Sequence, residues 1–428
     1  MSKPHFAVAA AGAAFGAVFV AALHAQGQAI DVARAHTFVA GAAPAAGPRG
    51  SALGKEAVDS FGHESLPAGR LVVEWRAALG VPLRRAPIMG PDDEIDVVST
   101  EGEVVTLGRD GTERARLATG ANDPSAVALL AGGDLVFVDQ AGEAVGVRAG
   151  HTTFRSRFGR AGAVGPAPLA LEDGGVIVAT EHEIALLDAA GGERARTTLV
   201  DLIQAPLVPA NGHIFAVTAS GAVWSWRPGA LSPERIGAFG GPIDGAPALA
   251  GDGTLLAVLP EQGLIVAVDL GRGTSAVRTT TSEGLWLGPP SIAADLAFVP
   301  LLTTAAEVVV AIDRAGNETS RTVLAGRTAK LAADAGATPL ALPPHSPPLV
   351  DARGAFFFAT PGGDIGAASD VRSPNASVDL LADVCGAREP TRGNRTPDPP
   401  IVGLVATHAG TVVAACANGT VLSIRGAQ

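Results

Sequence analysis

The apolar residues of this chain fall in short runs that recur in pairs. The stretch Pro247-Ala-Leu-Ala-Gly-Asp-Gly-Thr-Leu-Leu-Ala-Val-Leu-Pro-Glu-Gln-Gly-Leu-Ile-Val-Ala-Val-Asp269 shows the unit most clearly. Its two apolar runs, 254–259 and 264–268, flank Pro260-Glu-Gln-Gly263, and strand formers around a glycine-bearing gap predict a β-hairpin. The first run is apolar at nearly every position. That is the pattern of a strand covered on both faces, so the hairpin must be sandwiched between neighbours.

The second run of the hairpin recurs as Gly102-Glu-Val-Val-Thr-Leu107, Gly142-Glu-Ala-Val-Gly-Val147, Glu183-Ile-Ala-Leu-Leu187, Gly221-Ala-Val-Trp-Ser-Trp226, Gly263-Leu-Ile-Val-Ala-Val268, Glu307-Val-Val-Val-Ala-Ile312, Gly363-Asp-Ile-Gly-Ala-Ala368 and Gly419-Thr-Val-Leu-Ser-Ile424. The first six copies are spaced at roughly the 40 residues expected of a four-stranded propeller blade. A further apolar run precedes each copy. Ahead of several of these lies a short proline-bearing segment, as at 205–208, 245–249, 289–292, 347–350 and 400–402. Proline is tolerated at a free sheet edge, so these segments predict the innermost strands. Asp188, Asp269 and Asp313 each open a Gly-bearing turn after the repeat, where capping that turn is sufficient reason for them.

Eight copies predict an all-β chain folded as an eight-bladed β-propeller of four-stranded antiparallel blades. The last copy is followed by no outer strand, whereas Leu71-Val-Val-Glu-Trp75-Arg-Ala-Ala78 reads as an outer strand without a blade. Pairing the two closes the ring and removes an exposed edge, with Trp75 marking the closing strand. The propeller is therefore expected over 71–428, with low-complexity insertions near 325–344 and 385–400.

The N-terminus changes the picture of where the protein works. A short basic start, Met1-Ser-Lys3, precedes an apolar stretch over 6–23 and a small-residue cleavage site at Gly27-Gln-Ala29, the layout of a secretory signal at 1–29. Left uncleaved, the same stretch is long enough to anchor the chain, and only then is membrane contact expected. The Ala-, Gly- and Pro-rich segment 30–70 reads as a disordered tether. Export implies a periplasmic or secreted protein. In an oxidising compartment the two cysteines, Cys385 and Cys416, are a candidate disulfide, the alternative being two buried thiols. The net charge of −11 argues against nucleic acid as a partner.

The order Pro-Val, hydrophobic strand, Gly-Xaa-Val-Xaa-Ala-Leu-Asp, glycine turn and Trp-bearing outer strand resembles the quinoprotein-type (PQQ-like) repeat of eight-bladed propellers, including its BamB-like branch. The resemblance covers roughly 71–428. The WD40 family shares the period, and Gly-His pairs occur at 62–63, 150–151 and 212–213, but no Trp-Asp follows them. Quinone-dependent dehydrogenases of the resembled family are typified by a vicinal cysteine pair and calcium ligands. Here Cys385 and Cys416 are far apart and no ligand set can be assigned.

Other candidate chemistry is weak. Gly50-Ser-Ala-Leu-Gly54-Lys55-Glu56 is one residue short of a phosphate loop and lacks its hydroxyl. Pro91-Asp-Asp-Glu-Ile-Asp96 and Glu181-His182-Glu183 read as surface turns rather than metal sites. The four Asn-Xaa-Ser/Thr triplets, at Asn317, Asn375, Asn394 and Asn418, receive no role. No catalytic, cofactor or metal residue is expected. The resemblance and the absent motifs lead to a non-catalytic scaffold or binding module for an envelope protein or polymer, with outer-membrane protein assembly as one setting. The alternative is a quinone- or metal-dependent oxidoreductase with its site at the central channel.

Overall fold

The computed structural model describes residues 66, 70–90, 93–160, 165–171, 173–281, 283–286, 288–293, 296–303, 306–324, 348–350, 355–359, 363–368, 378–381, 384–385, 401–407 and 409–427. The expected export signal, most of the expected tether and, apart from Cys385, the two expected insertions lie outside them. The hairpin at 254–269 is present as read. Thr254–Leu259 pairs antiparallel with Leu264–Asp269, and between them Pro260–Gln262 forms a single 3₁₀ turn ended by Gly263 at φ 66°.

Eight such hairpins each gain an inner and an outer strand, giving eight antiparallel sheets and an eight-bladed β-propeller. Blades 1 to 7 span residues 88–118, 128–157, 169–198, 208–238, 244–280, 284–324 and 349–381. Blade 8 takes three strands from 401–426, and Leu71–Ala78 supplies its fourth. That closing strand pairs with Thr420–Gly426 from Leu71↔Gly426 to Ala78↔Thr420, with Trp75 opposite Ser423. The inner strand of blade 6 is split: Gly284–Trp286 and Ser291–Ala293 pair with opposite ends of Leu296–Thr303. Pro289 and Pro290, which have no N–H to donate, lie in the gap.

The second and third strands of each blade are the buried layer. Val176–Ala179 and Glu307–Ile312, for example, are buried at every position. Their side chains point alternately into the two flanking seams, so the core is divided into eight apolar clusters, one between each neighbouring pair of blades. Leu66, five residues ahead of the closing strand, is buried among Leu71, Val384 and Ile401 at the seam of blades 7 and 8, so packing begins before residue 71. Cys385 and Cys416 share that cluster, their sulfurs bonded with Cα atoms 5.7 Å apart.

Candidate protein-interaction face

In a blade that runs up and down, the turn between strands two and three lies on the same face as the linker to the next blade. Strand-two-to-three turns carry the repeat's glycine, and the structure explains why. Gly102, Gly142, Gly221, Gly263 and Gly419 all have φ between 66° and 86°. A Cβ there would run into a backbone carbonyl of the departing linker: Ala121, Arg160, Gly241, Thr281 and Val81 respectively.

This close approach lets the linkers be compared position by position. Leu79, Thr119, Phe158, Leu199, Phe239 and Thr281 each donate a backbone N–H to the neighbouring turn, and so are equivalent. The next residue is Gly80, Gly120, Gly159 and Gly240 in four of these linkers and Ser282 in a fifth, but Val200 between blades 3 and 4. Two residues further on, Pro82, Asn122 and Leu202 are equivalent, since each carbonyl accepts a hydrogen bond from the following blade, from Thr100, Gln140 and Ala219. Val200 is 80% exposed and Leu202 43% exposed. Between the buried Leu199 and Ile203, the backbone thus lifts two aliphatic side chains into solvent where other linkers place glycine, serine, proline or asparagine. Ile203 donates to the Glu181 carbonyl and Leu199 to that of His182, which fixes the linker on its turn.

The surroundings of this pair are polar. His182 Nδ1 lies 3.3 Å from the Leu199 carbonyl oxygen, and Glu183 is paired with Arg196 at 3.7 Å. Elsewhere on the same face Arg84 pairs with Asp123, and Arg85 donates to the Pro124 carbonyl, burial holding its guanidinium below the usual arginine range. Among the described residues no group of three or more His, Cys, Asp and Glu comes together, and no helix is long and apolar enough to cross a membrane.

The residues singled out from sequence occupy separate places. Trp75 lies at the seam of blades 8 and 1, its Nε1–H donating to the Arg109 carbonyl at 2.8 Å and its ring lying on Gly111 of the next blade. Phe154 lies on Gly191 in the same way between blades 2 and 3. Cys385 is joined to Cys416 at the other side of blade 8, where Asn418 Nδ2 donates to the Cys385 carbonyl and Arg76 to that of Val384. Asp188, Asp269 and Asp313 cap their own turns, accepting from Ala190 and Gly192, from Gly271 and Arg272, and from Asn317. Asp96 is buried, accepts from the Thr106 hydroxyl at 2.5 Å, and has its pKa raised to about 6 by desolvation.

Val200 and Leu202 were not visible as a site in the hydrophobic pattern. A column-by-column alignment of the linkers, with glycine expected at the first position, contains the signal.

No protein-family model and no curated protein matches the chain. Among solved structures it is similar to BamB from Moraxella catarrhalis, with a TM-score of 0.55 at 17% identity over 83% of this chain and 97% of that one. The likeness is one of fold. The computationally designed Ika8 protein is equally similar, with a TM-score of 0.58 at 11% identity over 81% of this chain and 99% of the other. A natural and a designed protein matching alike means that shared architecture carries no function by itself.

Proposed function

We propose that this protein is an exported, non-catalytic β-propeller that acts as a protein-interaction scaffold in the bacterial cell envelope, with outer-membrane protein assembly as its setting. The observation that carries the reading is the exposed pair Val200 and Leu202, where the linkers compared with it carry glycine, proline, asparagine or serine. Two aliphatic side chains held together in solvent on one linker offer a small apolar contact surface there, which supports the reading. The secretory layout of residues 1–29 supports export to the periplasm or beyond. The fold likeness to BamB, together with the repeat resemblance, supports the assembly setting.

The test is affinity purification of the tagged protein, cross-linked in its native envelope, beside a Val200→Ser/Leu202→Ser variant. Both residues are exposed, so the variant is expected to melt at the wild-type temperature. The reading predicts a defined set of envelope proteins with the wild type and about tenfold less with the variant, the loss from one small apolar anchor pair. Equal recovery by both, or recovery of the protein with only a redox cofactor, contradicts it.

A further inference from the structure

The face opposite the linkers holds a cleft of about 340 Å³ at the seam of blades 8 and 1. Its position follows from how the ring is closed. In blades 1, 3, 5 and 6 an Asp-capped turn joins the third and fourth strands, through Asp110, Asp188, Asp269 and Asp313. In blade 8 no turn joins them, because Thr420–Gly426 and Leu71–Ala78 come from distant parts of the chain. The cleft opens beside this gap.

Its lining carries charges of both signs. Arg109 comes from the outer turn of blade 1 and Arg425 from the end of the third strand of blade 8, while Glu74 comes from the closing strand and Asp93 from the first turn of blade 1. Among the described residues no hydrogen bond or ion pair occupies the Arg109 or Arg425 guanidinium. The Ser423 hydroxyl donates to Glu74 Oε2 at 3.4 Å and so orients that carboxylate. Trp75 forms part of the wall, held by its bond to the Arg109 carbonyl.

A lining with two cations and two anions favours no ion of a single sign, and suits a ligand that carries both charges. The volume falls at the lower end of small-ligand pockets. We propose that this cleft binds a short zwitterionic peptide, its carboxylate at Arg109 and Arg425 and its ammonium at Glu74. Each contact is a charge-assisted hydrogen bond in a solvent-open site, so affinity is in the millimolar range. The site shares no residue with the linker pair and does not depend on the scaffold reading.

Trp75 makes the cleft report on itself. Triglycine is titrated into the full-length protein while tryptophan fluorescence is followed, with N-acetyl-triglycine amide as the uncharged control and Arg425→Ala as the variant, since that exposed side chain supports no packing. The proposal predicts a saturable change with triglycine, none with the capped peptide, and binding weakened about tenfold in Arg425→Ala. A Trp75→Phe protein should lose the signal while still binding by calorimetry. No saturable response to triglycine in either measurement, an equal response to the capped peptide, or unaltered affinity in Arg425→Ala overturns it.

Discussion

Blades 1 to 3 and blades 5 to 7 share one hairpin but finish their rims differently. In the first group Arg116, Arg155 and Arg196 stand on the outer strand opposite Val105, Val145 and Ala185. They reach the carboxylates that open the third strands, Glu103, Glu143 and Glu183. Arg116 and Arg155 also donate to linker carbonyls of the preceding blade, Leu79 and Thr119. In blade 5 the same place holds Val277, 55% exposed, and in blade 7 it holds Leu380, also exposed. Arg321 keeps the position in blade 6 but turns to Glu283 and Glu318, while Glu307 is buried. The strand pairing survives all of this. The inner hairpin therefore carries the fold, and the rim and linkers vary without disturbing it, so the exposed Val200 and Leu202 owe nothing to the strand pairing.

If the hairpins carry the fold, the one strand that holds two ends of the chain together should matter most. Deleting residues through Ala78 is expected to abolish cooperative thermal unfolding, because it exposes the edge of Thr420–Gly426 and opens the seam. Deletion through residue 63, which spares Leu66, should leave the melting temperature unchanged in the same calorimetric scan.

A smaller effect is expected where blades dock. Gly111→Val and Gly191→Val place a side chain at positive φ against the Trp75 and Phe154 rings, and each should lower stability in urea unfolding by about 2–4 kcal/mol. Gly133→Ala, also at positive φ but with open space around it, should cost only about 1 kcal/mol.

Asp96, buried on the second strand of blade 1, sets a pH dependence. Its pKa is raised from 3.8 to about 6, so between those values the folded state holds a proton that the unfolded chain releases. Stability should fall as pH rises through that window, by about 3 kcal/mol, with the cost fully present above it. Asp96→Asn, which still accepts from Thr106, should flatten the profile and be more stable than wild type at neutral pH. An unchanged profile contradicts the assignment.

Least of all should depend on the rim. Arg116→Ala is expected to cost about 0.5–1 kcal/mol, shrinking in high salt, and Val277→Arg in blade 5 to change stability by less than about 0.5 kcal/mol.

Much of this architecture is legible in the sequence, for a physical reason. Second and third strands are buried on both faces, so 254–259 and 264–268 could not be polar, and their Gly263 had to be glycine at a left-handed turn. Trp75 is legible because a lone aromatic outer strand has no blade of its own. Phe154 does the same docking work without being a tryptophan, so a search for one residue type passed over it. The arginine ladder depends on cross-strand register, which shifts at a bulge in blades 1, 2, 3 and 4, and no spacing along the chain reveals it. The cleft at the seam is built from residues between 74 and 426, and Val200 and Leu202 resemble ordinary strand formers until their linker is set beside its equivalents.

The scaffold reading is tested most directly by placing a photoreactive amino acid at residue 200 and, in a second protein, at the equivalent Gly240. Both are irradiated in the native cell envelope. The account predicts a discrete adduct with one envelope protein from position 200 and none from position 240. Adducts of equal yield from both positions, or no adduct from position 200 at native abundance, contradict it.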